Sequence, residues 1–135
     1  MGVPKSFKTC EIVQQLRFMS RDQVESGLDH NAVKDYAYIL HDVDKNADGT
    51  DKLPHWHIMI RFKDSVPTSS ICKWFDVQPE RIGKIHGKFA DALAYLTHSN
   101  APDKEQYLEE NVISNFDFVA EAAAALAKTC LLYTS

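Results

Sequence analysis

The sequence predicts an α+β fold, an antiparallel β-sheet with helices packed on one face, and two observations carry that prediction. The first is size: 135 residues with only five Gly and five Pro make one globular domain with a modest core, too short for a (β/α)₈ barrel. The second is the order in which apolar segments recur, β-α-β-β-α-β-α. Phe7 to Gln14 reads as the first strand. Ser20-Arg-Asp-Gln23 has the S-x-x-Q form of a capping box ahead of Val24 and Leu28, so a helix starts there and ends near His30 and Asn31. Asp35 to Leu40 is short, aromatic and β-branched, as a buried strand is, and the Asn, Asp and Gly content of Asp44 to Asp51 makes a long turn. His55 to Phe62 is the next strand; Thr68 or Ser69 caps a short helix through Trp74 and Phe75; Arg81 to His86 forms another strand before a loop at Gly87. Phe89 to His98 is helical in pattern, with Leu93 and Leu96 three apart. This order fits a sheet of the broad ferredoxin-like or RNA-recognition-like kind.

Composition narrows the function. No run of 18 apolar residues and no secretory h-region occur, so the sequence reads as a cytoplasmic protein with no membrane partner. Cys10, Cys72 and Cys130 are odd in number and lack C-x-x-C spacing, which argues for reduced thiols over a disulfide framework or a thiolate zinc site. The net charge of −4 is unevenly spread. Residues 59–88 hold six basic and three acidic side chains, and Arg61, Lys63, Lys73, Arg81, Lys84 and Lys88 form a locally basic stretch able to hold a phosphate backbone; scattered solvated lysines are the plain alternative.

The sharpest local signal is His55-Trp56-His57. A strand's side-chain period of two puts both imidazoles on one face and Trp56 on the other, and paired imidazoles suit a divalent metal. His41-Asp42-Val43-Asp44 lies at the end of the preceding strand and supplies a second donor cluster if the two strands are neighbours. Spacing leaves the choice between Asp42 and Asp44 open, with His41 and Asp44 favoured because a turn after His41 brings them together. An EF-hand reading of Asp44-x-Asn-x-Asp48-Gly49 fails because His55 stands where the bidentate Glu belongs. Tyr95 and His98, three apart on the last helix, share a face and offer a nucleophile with a helper; Tyr107 has no such neighbour and reads as a loop or packing residue. Trp74 and Phe75 read as core residues before base-stacking ones.

Together, Ile39-Leu-His-Asp-Val-Asp44, Pro54-His-Trp-His-Ile58 and Tyr95-Leu-Thr-His98, followed by Pro102-Asp-Lys-x-Gln-Tyr107 and Asn115-Phe-Asp117, resemble the ordered motifs of rolling-circle replication initiators: the HUH single-strand endonucleases, specifically the Rep family of small Gram-positive plasmids. The resemblance spans most of residues 35–118. It implies the HUH endonuclease fold and a site-specific nickase of single-stranded origin DNA. It also implies His55, His57, His41 and Asp44 as ligands of Mn²⁺ or Mg²⁺, Tyr95 as the nucleophile forming a 5′-phosphotyrosine and leaving a free 3′-OH, and later rejoining of ends. His98 is a candidate helper. Asp91 and Ser99 stand four residues either side of Tyr95, so the chain resembles the one-tyrosine class. The expected alternatives are a non-catalytic single-strand-binding module and a metal-dependent phosphodiesterase that activates water.

The expected organisation is an origin-binding and nicking domain over residues 1–118, then the start of a C-terminal helix or linker over 119–129, with an Ala-rich helix from about Phe116 to Lys128. Cys130 to Ser135 back-translates to a sequence resembling a transposon-end sequencing adapter, so residues 130–135 are read as an artefact, a genuine apolar tail being the alternative. Relatives of the family often carry assembly or helicase regions after this domain, which implies homo-oligomerisation through a C-terminal region absent here.

Overall fold

The computed structural model describes residues 4–125. The chain runs β1 (Ser6–Gln15), α1 (Arg21–Leu28), β2 (Val33–His41), β3 (His55–Pro67), α2 (Thr68–Phe75), β4 (Ile82–Gly83), α3 (Phe89–Leu96) and β5 (Ile113–Ser114), and residues 118–125 are helical (α4). The strands form one antiparallel five-stranded sheet in the order β4-β1-β3-β2-β5. The α+β class and the element order stand as expected. Among the described residues no helix is long and apolar enough to cross a membrane.

Alternation along β3 divides the molecule. Trp56, Ile58, Ile60 and Phe62 point to one face and join Cys10, Ile12, Tyr38, Val24 and Leu28 from α1, and Ile71 and Phe75 from α2, in the larger core. The intervening residues His55, His57, Met59 and Arg61 point to the other face. There Met59 meets Ala37, Ile39, Leu93, Leu96, Phe118 and Ala122, so α3 and α4 add a second helical layer to the one expected. Trp56 is sealed under the sheet with its indole N–H donating to the Met19 carbonyl at 2.7 Å, and Phe75 is likewise core. Trp74 packs on the edge of that core and stacks on His30.

Local chemistry explains the boundaries. The Ser20 hydroxyl accepts from the Gln23 amide while the Gln23 side chain accepts from the Ser20 amide, the reciprocal capping box the sequence encodes. β3 runs five residues beyond Phe62 because Val66 and Pro67 pair with Phe7 and Ser6. Pro67, not Thr68 or Ser69, occupies the N-cap of α2; the Thr68 hydroxyl instead donates to the Pro4 carbonyl. The expected strand from Arg81 to His86 contracts to Ile82–Gly83, since β1 offers it only Glu11 and Ile12 as partners. α3 ends at Leu96, and His98 leaves the helix in the left-handed region at φ 62°. Cys10 is buried and Cys72 half-buried, both as free thiols, while Cys130, Lys128 and residues 130–135 lie outside the described residues.

Gly27 lets α1 close on α2. A Cβ built there would overlap the ring of Phe75, which is fully buried and has nowhere to move. Gly27→Ala is therefore expected to lose about 1–3 kcal/mol of stability by overpacking, against a helix-propensity gain of about 1 kcal/mol. A thermal melt checks this: a net fall in Tm is the expected result.

Candidate metal centre and nucleophile

The register of β2 on β3 sets His41 opposite His55 and Ile39 opposite His57. All three imidazoles lie on the α3 face, and their ring centroids are 4.2–5.6 Å apart. The loop after β2 then folds back on itself: the Lys52 amide donates to the Asp44 carbonyl, Asn46 and Thr50 pair, and Gly49 takes the turn at φ 87°. The Asp48 carboxylate accepts from the Thr50 amide and hydroxyl, confirming Asp48 as a turn former. This fold-back carries Asp44 inward, 8% exposed, whereas Asp42 stays exposed. One ligand atom from each of His41, Asp44, His55 and His57 falls within 4.8 Å of the others. Of the two aspartates, Asp44 is the one that falls within this group.

Hydrogen bonds fix which nitrogen of the His41 and His55 rings faces the centre. Nε2 of His41 donates to the Leu96 carbonyl at 2.7 Å, leaving the Nδ1 lone pair 3.4 Å from Asp44 Oδ2 without a hydrogen bond. Nδ1 of His55 donates to the Leu53 carbonyl at 2.8 Å, leaving Nε2 3.3 Å from the same oxygen. Nδ1 of His57 is buried with no partner. Burial, the largest influence, pushes the His41 pKa down to about 4 and that of His57 well below the ordinary value, so both rings are neutral at pH 7. Neutral imidazoles gathered around a carboxylate, with Nδ1 of His41 and of His57 buried and unpartnered, make a group that could hold a metal ion.

Tyr107, read from the sequence as a loop or packing residue, contacts this group directly. Its ring stacks on His41 at 4.4 Å and 14°, its hydroxyl donates to Asp44 Oδ1 at 2.7 Å, and the Val43 amide donates to that hydroxyl at 3.0 Å. The loop from Leu96 to Tyr107 brings it there, 63 residues from Asp44, a closeness that no local spacing shows.

Tyr95 stands on α3, half-buried, its ring centroid 6.4 Å from that of His57 and 4.8 Å from that of His98. His98 is buried, donates from Nδ1 to the Glu105 carbonyl at 2.7 Å and lies against His41 and Tyr107. A cleft of about 560 Å³ has Asp44, His55, His57, Tyr95 and His98 in its walls, with Lys45, Lys52 and Lys104 at its edge. Those three lysines were not among the expected phosphate contacts; Lys45 is ion-paired with Asp51.

The expected cations divide. Arg81 lines a cleft shared with His55, His57 and Lys52, and Lys84 lines a slot beside Tyr95. Lys88 is exposed at the start of α3. Lys63 sits toward the far end of β3, and Lys73 lies on α2 against the opposite face of the sheet. Arg61 is already engaged within the protein: its guanidinium is paired with Asp35 and doubly with Glu121, and packs over Phe89 and Phe116. It ties α4 to the sheet, and its charge is already neutralised inside the protein.

Fold and site define the class as an α+β domain whose sheet presents a His/Asp metal-donor group beside a tyrosine in a lysine-edged cleft. Residues 6–119 match the family described as plasmid replication protein, origin-binding domain, and the chain belongs to that family. A replication protein of Onion yellows phytoplasma (strain OY-M) is 41% identical over 85% of this chain and 34% of its own length. Replication protein RepB of Lactiplantibacillus plantarum is 32% identical over 65% of this chain and 40% of its own length. The chain thus spans between a third and two fifths of these relatives.

Two outcomes follow. Tyr107→Phe keeps the stack on His41 and removes only the hydroxyl that holds Asp44, so Mn²⁺ affinity, read by calorimetric titration, is expected to fall about 10–100-fold. The depressed His pKa values set a pH dependence for the metal-free protein. Above about pH 6.5, the ordinary His value, folded and unfolded chains both carry these rings neutral and stability is unaffected. As pH falls toward 4, the unfolded chain takes up protons that the folded site refuses, and stability is lost. In EDTA, Tm is expected to be lower at pH 5 than at pH 7.

Proposed function

We propose that the domain is an HUH-type endonuclease that nicks single-stranded DNA at a plasmid replication origin through Tyr95. The observation that supports this best is the placement of a half-buried tyrosine in the same cleft wall as a buried His₃Asp donor set, in a chain of the origin-binding family. In the reaction, the Tyr95 hydroxyl oxygen attacks the scissile phosphorus as the P–O3′ bond breaks. The products are a 5′-phosphotyrosine and a free 3′-OH, which carries the proton that the phenol gave up. No phosphodiester energy is lost to water, so the 3′-OH can prime synthesis and the step can reverse to rejoin ends.

A phenol with an ordinary pKa near 10 is a weak nucleophile, and removing its proton needs help. His98, whose ring lies 4.8 Å from that of Tyr95, would take that proton through Nε2, since Nδ1 donates to the Glu105 carbonyl. His41, His55, His57 and Asp44 would hold a divalent cation, which when bound polarises the scissile phosphate as a Lewis acid. Of the expected pair, Mn²⁺ suits three imidazoles better than Mg²⁺, which prefers oxygen donors. Lys52 and Lys104 line the cleft, Arg81 and Lys84 line depressions that share residues with it, and these four would carry the phosphate backbone. Residues 1–118 are the proposed nicking domain, with assembly left to segments of the longer relatives that this chain does not span.

The test is a denaturing gel of the protein with single-stranded oligonucleotides tiled across the DNA that encodes it. With Mn²⁺, a protein–DNA band that survives denaturation is expected, absent in EDTA and absent in Tyr95→Phe. Metal-dependent cutting without that band, persisting in Tyr95→Phe, would instead assign the site to water activation.

A further inference from the structure

Beside Tyr95 the sheet face and α3 enclose a second depression of about 370 Å³, distinct from the metal cleft and sharing only Tyr95 with it. Its apolar surface comes from Met59, Ile85 and Ala92, which suits a flat, weakly polar guest. One side chain there is unexplained by the fold. Glu11 lies on β1 opposite Met59 and Gly83, half-buried, and its carboxylate accepts no side-chain hydrogen bond among the described residues. The other carboxylate of the slot, Asp91, is already engaged by the Lys88 amide at the start of α3. Burial is the largest influence on Glu11 and raises its pKa above the usual carboxylate value, with nearby His86 pulling the other way. A half-buried carboxylate with no protein donor on it can accept an N–H from a ligand. Lys84 at the slot and Lys88 beside it supply positive charge for the ligand's phosphate.

We propose that this slot receives the base of a nucleotide flanking the scissile phosphate, and that Glu11 selects a base bearing an exocyclic amine, cytosine foremost. The inference rests on the nicking reading above and adds its specificity determinant. Cytosine presents a donor at N4 where thymine presents an oxygen acceptor and a methyl group, and a carboxylate accepts from the first and repels the second. Glutamine at position 11 has the same shape and can donate as well as accept, so it loses the distinction.

The test measures binding apart from cutting. In the Tyr95→Phe background, fluorescence anisotropy of labelled dC₁₀ and dT₁₀ is recorded at low salt, where backbone contacts are strongest. With Glu11 present, dC₁₀ is expected to bind about tenfold more tightly than dT₁₀. In Glu11→Gln that ratio is expected to approach one through a loss of dC₁₀ affinity. Because both oligonucleotides meet the same variant, a variant that merely folds less well would lower both affinities alike and leave the ratio, which would overturn the proposal. Equal affinities with Glu11 present, or no binding of either oligonucleotide, would also overturn it. Base discrimination that depends on Glu11 in a protein that forms no covalent adduct would uphold the slot and overturn only the nicking chemistry.

Discussion

A slip of one residue between β2 and β3 would turn His41 to the opposite face of the sheet and leave His55 and His57 without their third imidazole. The pairing of His41 with His55 and of Ile39 with His57 is therefore the constraint on which the site depends. It is enforced from the other side of the sheet. Tyr38 packs with Trp56, Ile58 and Ile60 in the larger core, all at 0–1% exposure, and a slip of β2 would turn Tyr38 out of it. Burying that much apolar surface outweighs any local preference of the histidines. The register of the three histidines is set by residues on the opposite face of the sheet.

The cost of the arrangement falls on the donor face. His41, His55 and Asp44 are buried at 0–8% exposure, and His57 Nδ1 has no partner. Among the described residues no hydrogen-bond partner meets Nδ1 of His41 or of His57, and the Leu96 and Leu53 carbonyls accept from the opposite nitrogens of His41 and His55. Tyr107 and the fold-back of residues 44–52 hold Asp44 in place against its own tendency toward water. Three elements remote in sequence thus meet in one ligand group, while Arg61 and its two carboxylate partners close the same face farther down β3 with α4.

How much of this could be read in advance follows from the range of each interaction. The His55-Trp56-His57 alternation, the Ser20 capping box and the element order are local, and each appears in the structure as the sequence indicates. The choice of Asp44 over Asp42 required the loop to fold back, which the Asn, Asp and Gly content allowed but did not specify. Tyr107 was invisible because its partners are Asp44 and His41, across more than sixty residues. Arg61 looked like one more surface cation because its carboxylates, Asp35 and Glu121, come from β2 and from a helix at the far end of the chain. The short β4 and the early end of α3 depend on how few partners β1 offers and on the course of the loop beyond Leu96, both tertiary facts.

That early end has a physical use. A histidine in the left-handed region costs on the order of 1–2 kcal/mol relative to a helical one. Continuing the helix would save that cost, yet the backbone turns, and the surrounding contacts show what the turn secures. The Ala101 amide donates to the His98 carbonyl, the Tyr107 amide to the Thr97 carbonyl, and His98 Nδ1 to the Glu105 carbonyl. Each of these bonds anchors the loop that delivers Tyr107 to Asp44. The His98 ring meanwhile fills the space between Tyr95, His41 and Tyr107, so one strained residue sets the position of the ring beside Tyr95 and of the tyrosine bonded to the carboxylate. Relaxing it into the helix would detach the loop from the site, and the donor group would lose its outer support along with the wall of the cleft.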